Sequence, residues 1–134
     1  MLTVTGLAEA GSGAPLQLDV ATIDRVGLQS FSVDEPFVHQ EMSFQGVDLG
    51  DLLRVIGVAD EAGELHLVAL DDYIVDLDVA EVLTGGTMLA THTGDGSAIP
   101  IEEGGPTRIV FTDGVAAERT ENDWIWSLAT VEVS

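Results

Sequence analysis

Short alternating segments separated by glycine and proline are the feature that most restricts how this 134-residue chain can fold. Period-two alternation of apolar and polar residues is typical of strands with one buried face. The predicted strands cover residues 2–5, 16–20, 27–33, 42–47, 65–70, 73–77, 88–90, 107–111 and 124–133, and residues 99–101 are predicted to be extended. Glycine-rich turns are predicted at 94–96 and 104–106. The pattern favours a mostly β fold.

Helical spacing occurs in two short segments. Apolar residues recur at i, i+3, i+4 and i+7 in the first, namely Leu49, Leu52, Leu53 and Ile56. Asp48 precedes this segment as a predicted N-cap, and Gly57 follows it as a predicted stop. A second, shorter helix is predicted after Asp78 and ends before Gly85. With no repeat or linker, residues 1–134 are predicted to form one α+β domain, mostly β with two short helices.

The charge balance excludes several classes of function. Acidic residues number 24 against four arginines, and the net charge is −20. A chain without a basic patch is not expected to bind nucleic acid or an anionic membrane surface directly. The absence of lysine and cysteine excludes a lysine Schiff base, a disulfide and a zinc–thiolate site. Two interpretations of the acidity stay open, an ordinary solvated surface or adaptation to high salt.

Histidine and paired acidic residues give no metal-binding motif. His66 is opposite in phase to its apolar strand neighbours, so we expect it at the surface. His39 and His92 fall at a strand end or in a loop, where functional sites tend to form. Asp76 and Asp78 are separated by one residue, which permits a cation site but favours a helix N-cap with an adjacent surface charge. We therefore predict no metal site.

Both tryptophans fall close together near the end of the chain. If residues 124–133 form a regular strand, then Trp124, Trp126 and Leu128 share one face. That face either packs into the core or stacks on a flat heterocyclic ligand. The sequence leaves the two alternatives open.

The order of these segments resembles the molybdopterin-binding domain of the sulfite oxidase family. The most specific part is residues 44–53, FQGVDLGDLL, which is similar to the aromatic-x-Gly-Val-x-Leu-x-Asp-Leu-Leu motif of that family. Weaker similarities follow in the family order, at Leu70–Tyr73, Leu89–Ala90, Asp95–Gly96, Gly105–Pro106 and Trp126–Leu128. The resemblance covers nearly the whole chain, and it implies a sulfite oxidase-like fold with a cofactor pocket facing the terminal strand.

One departure from the family concerns the metal ligand. Catalytic members carry a cysteine that binds molybdenum shortly before the aromatic-Gly-Val motif, and by spacing this position falls near Val33, with Ser32 beside it. Valine cannot bind a metal, and a hydroxyl replaces a soft thiolate poorly. Cations for the cofactor phosphate are also scarce, with only Arg25, Arg54, Arg108 and Arg119 in the chain. These departures argue against bound molybdopterin and against sulfite-type oxidation.

A cysteine-lacking branch of the fold, which binds free pterins as a non-catalytic sensor, is the closer resemblance. Residues 34–37 and 124–128 are similar to its Pro-aromatic segment and its last strand. Trp126 and Phe37 would form the ring slot, Asp34 or Asp72 would accept hydrogen bonds from the pterin edge, and Tyr73 would pack nearby. The implied pterin-binding residues are Trp126, Trp124, Phe37, Asp34, Asp72, Tyr73, His92 and Arg108.

Location and partners follow from the same resemblance. The pterin-binding member of that branch is exported and acts beside a membrane-associated signalling protein. The chain would then be extracytoplasmic if a signal peptide had been removed, and cytoplasmic otherwise. Two alternatives to the non-catalytic pterin-binding function stay open. One is a molybdopterin-dependent oxidoreductase domain, active or vestigial, and the other is an interaction module without a ligand.

Overall fold

The computed structural model describes residues 2–5, 16–35, 40–58, 63–112 and 123–133, and these form two sheets with three short helices. The strands are β1 (Leu2–Thr5), β2 (Leu16–Leu18), β3 (Gln29–Glu35), β4 (Gln40–Asp48), β5 (Glu64–Ala69), β6 (Ile74–Asp78), β7 (Thr87–Thr93), β8 (Arg108–Phe111) and β9 (Leu128–Val133). The helices are α1 (Val20–Asp24), α2 (Leu49–Val55) and α3 (Val79–Leu83), and a 3₁₀ turn covers Ile101–Glu103.

The two sheets differ in strand order. The five-stranded sheet has the order β2-β1-β9-β5-β6, and the four-stranded sheet has the order β3-β4-β7-β8. Neighbouring strands are antiparallel except β1 and β9, which pair in parallel. Buried apolar residues from both sheets and all three helices form one core. The prediction of a mostly β α+β fold is therefore confirmed.

Local capping signals place α2 and α3 where the sequence predicts them. The Asp48 carboxylate accepts a hydrogen bond from Asp51 N at 3.3 Å, and the Asp78 carboxylate accepts one from Ala80 N at 3.1 Å. Each satisfies a backbone donor that the first helical turn leaves without an internal partner. Asp48 also accepts a hydrogen bond from Gly86 N, which fixes α2 against the turn after α3.

The predicted strand at residues 16–20 is wrong in its second half. β2 ends at Leu18, and Asp19 instead caps α1 by accepting a hydrogen bond from Thr22 N at 2.7 Å. An aspartate at this position competes with strand pairing because its side chain satisfies a helical backbone donor. Ile101 was likewise predicted to be extended and instead begins the 3₁₀ turn.

The predicted strand at residues 124–133 is also too long. β9 begins at Leu128, because Ser127 has a φ of 52° and this left-handed conformation interrupts the alternation of side chains. Trp124 and Trp126 therefore lie before the strand and are not held on one of its faces. Among the described residues, no helix is both long enough and apolar enough to span a membrane.

Candidate functional site

An open pocket of about 390 Å³ lies where three connecting segments meet. Leu70 and Asp71 come from the turn after β5, Ile101 from the 3₁₀ turn, and Trp126 and Ser127 from the segment before β9. Most of these side chains belong to connections rather than to strands, which is where binding sites commonly lie on a rigid scaffold.

Ser127 holds the three segments of the pocket together. Its carbonyl accepts a hydrogen bond from Leu70 N at 2.8 Å, and its backbone N–H donates to Gly104 O at 2.7 Å. Its hydroxyl donates to Gly105 O at 2.6 Å. A non-glycine residue at positive φ costs free energy, and it persists where surrounding contacts fix the conformation. These three hydrogen bonds supply such contacts.

A buried cation packs over the ring of Trp126. The Arg108 Cζ atom is 4.8 Å from the centre of the Trp126 ring and 5.2 Å from the centre of the Phe44 ring. Arg108 is 1% exposed, and its Nη1 donates a hydrogen bond to Glu103 O at 3.2 Å. Cation–π contacts of this kind are strongest when desolvated. The guanidinium therefore fixes the position of the indole and is itself shielded from solvent.

Gly104 also contacts the indole closely. A Cβ atom added at Gly104 would lie 2.8 Å from Cγ of Trp126, and the glycine has a φ of 95°. Only glycine accommodates both the close approach and the left-handed backbone without strain. Arg108 and Gly104 together leave Trp126 little freedom to move.

The pocket combines an aromatic ring, exposed apolar side chains and a carboxylate. Leu70 and Ile101 are 59% and 61% exposed, so both offer apolar surface at the pocket wall. Asp71 accepts a hydrogen bond from Tyr73 N at 3.2 Å, and this contact orients its carboxylate. Such a surface can stack on a flat ring and accept hydrogen bonds from donors on the edge of that ring.

The structure places the predicted site residues in different parts of the molecule. Trp126 lines the pocket, and the buried Arg108 packs against the Trp126 ring. Asp72 and Tyr73 follow Asp71 in the same turn, with Asp72 at a φ of 70° and Tyr73 46% exposed. These residues lie next to the lining residues, and their role in binding stays a prediction.

Trp124 lies in the core. It is 4% exposed, and its ring contacts the Phe111 ring edge-on at 5.5 Å. The backbone of Asp34 belongs to β3, but its side chain is not described, and Phe37 and His39 lie outside the described residues. The predicted pairing of Phe37 with Trp126 therefore stays a prediction.

His92 belongs to a separate cluster between α1 and β7. Its Nε2 is 2.8 Å from Oδ2 of Asp24, and the Thr91 hydroxyl donates to Oδ1 of Asp24 at 2.6 Å. Its Nδ1 is buried and has no hydrogen-bond partner among the described residues. The cluster fixes α1 against the four-stranded sheet and shares no residue with the lining of the pocket.

His66 and the two nearby aspartates have separate structural roles. His66 lies on the outer face of the five-stranded sheet, partly exposed, and pairs with Asp76 on β6. The hydrogen bond that the His66 ring donates to the Asp76 carboxylate raises the pKa of His66 above its usual value. Asp78 caps α3, so the N-cap interpretation is confirmed. Across the described ranges, no group of three or more histidine, aspartate or glutamate residues is arranged to bind a metal ion.

The position where the resemblance places the metal ligand is not suited to molybdenum. Val33 is 1% exposed in the core, and the neighbouring Ser32 hydroxyl lies 2.9 Å from the Ser43 hydroxyl on β4. Neither group is a soft anionic ligand of the kind that molybdenum binds through sulfur. The donor set at this position therefore does not fit a molybdenum centre held by the protein.

Sequence reasoning found Trp126 and the adjacent Arg108 but not the other residues that line the pocket. Asp71 directly precedes Asp72, which was predicted to bind the ligand. The turn that holds both aspartates was therefore the sequence feature that could have identified Asp71. Ile101 was predicted to be extended. It lies instead in a 3₁₀ turn, and this turn is too short to show a periodic pattern of apolar residues in the sequence. Ser127 could not be found, because a serine at positive φ has no distinctive sequence pattern.

Comparison with known proteins identifies the fold and the family. A family model described as the oxidoreductase molybdopterin binding domain matches residues 14–132. The structure is similar to that of the sulfane dehydrogenase SoxCD from Paracoccus pantotrophus, with a TM-score of 0.74 and 20% sequence identity. That match covers 98% of this chain and 37% of the SoxCD chain, so this chain spans well under half of its structural relative. No curated protein sequence matches significantly.

The structural similarity confirms the predicted sulfite oxidase-like fold, and the family model accounts for most of the chain. The chain belongs to the oxidoreductase molybdopterin-binding domain family.

Proposed function

We propose that this domain binds a pterin ring in the pocket beside Trp126 and acts as a ligand-sensing component without metal redox chemistry. The observation that carries the proposal is the indole of Trp126, which lines an open pocket and packs against the buried Arg108 guanidinium. A fixed aromatic surface favours binding of a flat ring because little side-chain freedom is lost on association.

The other lining groups match the edges of a pterin. A pterin has an amino-pyrimidine edge with hydrogen-bond donors, and the Asp71 carboxylate is an acceptor at the pocket wall. Leu70 and Ile101 supply apolar surface for the faces of the ring. The volume of about 390 Å³ falls within the range of small-molecule sites, about 300–1,000 Å³.

The part of the proposal that leaves out metal redox chemistry is supported by the position where the resemblance places the metal ligand. Val33 is buried and cannot bind a metal, and the chain has no cysteine to replace it. In the cysteine-lacking branch that the sequence resembles, the pterin-binding member acts beside a membrane-associated signalling protein, and we extend that partner to this proposal. A molybdopterin-dependent oxidoreductase domain is the second candidate, and the family match favours it.

Native mass spectrometry of the full chain, combined with fluorescence of the ligand released on denaturation, tests the proposal. We expect a fluorescent pterin bound to the chain and less than stoichiometric molybdenum or tungsten by elemental analysis. About one metal atom per chain would favour the oxidoreductase candidate. Purified chain that carries no pterin and no metal, and that binds no pterin when it is added, would contradict the pterin-binding proposal and favour an interaction module.

A further inference from the structure

We infer that strand β6 is a docking edge for an extended basic segment of another protein, which would add to the five-stranded sheet as a further strand. This site is separate from the proposed pterin site, because β6 shares no residue with the lining of the pocket beside Trp126. Three features of β6 support the inference, namely the direction of its backbone groups, the exposure of its side chains and the charge of its outer face.

The register between β6 and β5 shows which backbone groups of β6 are already bonded. Ala69 N donates to Tyr73 O at 2.8 Å at one end of this ladder, and Val79 N donates to Gly63 O at 3.1 Å at the other end. Hydrogen-bonded pairs alternate with non-bonded pairs along an antiparallel ladder. The odd-numbered residues of β6 therefore bond to β5, and the even-numbered residues direct their N–H and C=O groups away from it.

These outward groups lie at an exposed edge. In the described part of the chain, β6 is the last strand of the order β2-β1-β9-β5-β6. Ile74 is 58% exposed, and the side chain of Asp76 is 56% exposed. A row of N–H and C=O groups at a sheet edge is a template for an added strand. Ile74 and Asp76 together offer two donors and two acceptors to such a strand.

The charge of the outer face favours a basic partner. Asp76 and Asp78 lie on this face in β6, Glu64 lies opposite Asp78 in β5, and Glu132 lies opposite His66 in β9. All four acidic residues are exposed. Asp76 pairs with His66, whereas Glu64 and Asp78 form a directly opposed pair of like charges. Such a pair destabilises a sheet, and a lysine or arginine on an added strand would relieve it.

The same charges disfavour pairing between two copies of this chain. Antiparallel overlap along the whole of β6 would place Asp76 opposite the same residue of the second copy, and Ile74 opposite Asp78. Charged side chains on an edge strand are a common protection against self-association. A strand with basic residues opposite Asp76 and Asp78 and an apolar residue opposite Ile74 avoids both conflicts, so the edge discriminates between the two partners.

The probe is a synthetic peptide with the central sequence Lys-Val-Lys-Val-Ile, whose lysines lie opposite Asp78 and Asp76 in antiparallel register. Two matched versions each carry one N-methyl group. In the first, the methyl group is on the second lysine, whose N–H would bond to β6. In the second, it is on the valine after that lysine, whose N–H would point away from β6. A further control peptide has glutamates in place of the lysines.

Binding is measured on the full chain by nuclear magnetic resonance, through the hydrogen exchange of individual amides. A peptide concentration of about 1 mM populates complexes with a dissociation constant of that order. Ile74→Pro removes an outward N–H and no bond to β5, which is the position where an edge strand tolerates proline. Ile74→Ala is its matched control, because alanine keeps the N–H. Thermal unfolding of both variants shows whether they fold.

We expect the unmodified peptide to slow exchange at the Ile74 and Asp76 amides. The N-methyl group on the second lysine should weaken binding at least about tenfold, because it removes a backbone hydrogen bond and blocks close approach. The N-methyl group on the valine should leave binding nearly unchanged. Ile74→Pro should abolish binding and Ile74→Ala should retain it. Raising potassium chloride from about 0.1 M to about 1 M should weaken binding by screening the charges.

Equal binding of the two methylated peptides, equal binding of the glutamate peptide, or unchanged exchange at Ile74 and Asp76 would overturn the inference. If Ile74→Pro does not fold, the two methylated peptides decide the question without it. Self-association of the parent chain that Ile74→Pro reverses, measured by sedimentation, would also overturn it, because the edge would then bind a second copy. Each of these results leaves the proposed pterin site standing, since that site is tested by its own ligand.

Discussion

The guanidinium of Arg108 lies 4.8 Å from the centre of the Trp126 ring, so a buried cation packs against this indole. A desolvated cation–π contact contributes about 2 kcal/mol or more. It holds the ring at the pocket wall, although Trp126 lies outside any strand. The pocket thus depends on a contact between a core side chain and a connecting segment.

Trp126→Phe should weaken pterin binding while lowering the melting temperature only slightly. Removing an aromatic ring that stacks on a base costs about 1–3 kcal/mol, which corresponds to about a tenfold to hundredfold loss of affinity for Trp126→Ala. Phenylalanine keeps part of the ring surface, so its effect should be smaller than that of alanine. Dialysis against neopterin and thermal unfolding of the same samples provide the two measurements.

Trp124→Phe is the matched control for this prediction. Trp124 packs edge-on against Phe111 in the core, so the change should lower stability and leave pterin affinity nearly unchanged. If Trp126→Phe instead binds pterin as well as the parent and melts much earlier, Trp126 is a core residue and the pocket assignment is wrong.

Gly104→Ala should displace the indole and weaken both the fold and the site. The new Cβ would lie 2.8 Å from Cγ of Trp126, and the residue would also be strained at a φ of 95°. Gly57→Ala provides the control, because Gly57 has a similar φ of 90° and no heavy atom within 4 Å of the added Cβ. The left-handed conformation alone costs an alanine about 1–2 kcal/mol.

Overpacking against the indole should lower the stability of Gly104→Ala by about 1–3 kcal/mol more, and Gly57→Ala does not incur this additional loss. Chemical denaturation should therefore show a larger loss for Gly104→Ala, and pterin affinity should fall in this variant alone. Equal stability losses in the two variants would show that the contact between Gly104 and Trp126 is not tight.

The sequence predicts the elements whose causes are local. Asp48 and Asp78 stand directly before helical spacing, and both cap helices in the structure. The position of Trp124 relative to Trp126 could not be predicted in this way. It depends on the left-handed Ser127, whose conformation is fixed by hydrogen bonds to Leu70, Gly104 and Gly105. Those partners are distant in sequence, so no local pattern reveals them.

The pair of His66 and Asp76 should make stability depend on pH. The hydrogen bond that His66 donates to the Asp76 carboxylate is the largest cause of the raised pKa of His66, and charge interactions with Asp76, Glu132 and Glu64 add to it. Because the folded pKa exceeds the unfolded value of about 6.5, this contribution is fully present below about pH 6.5 and is lost as the pH rises through the folded pKa.

Nuclear magnetic resonance titration of His66 should give a pKa above about 6.5, the usual value for histidine. His66→Gln and Asp76→Asn should each remove this contribution, so the melting temperatures of parent and variant should differ most in acid and converge in alkali. A difference in melting temperature between parent and variant that grows with pH would contradict the pairing of His66 with Asp76.

Stability should rise with potassium chloride, because the folded chain carries a net charge of −20 and repels itself. Screening shortens the range of this repulsion from about 10 Å at 0.1 M to about 3 Å at 1 M salt. Potassium chloride suits the test better than sulfate, which also strengthens apolar burial. The measurement is the melting temperature at increasing salt concentration.

The exposed pair Glu102 and Glu103 allows a sharper form of the salt prediction. Replacing both with glutamine removes two negative charges and keeps the backbone carbonyl of residue 103, which accepts the hydrogen bond from Arg108. The double variant should melt higher than the parent at low salt, and the two should converge near 1 M potassium chloride. A parent melting temperature that stays flat or falls with salt would contradict adaptation to high salt and favour an ordinary solvated surface.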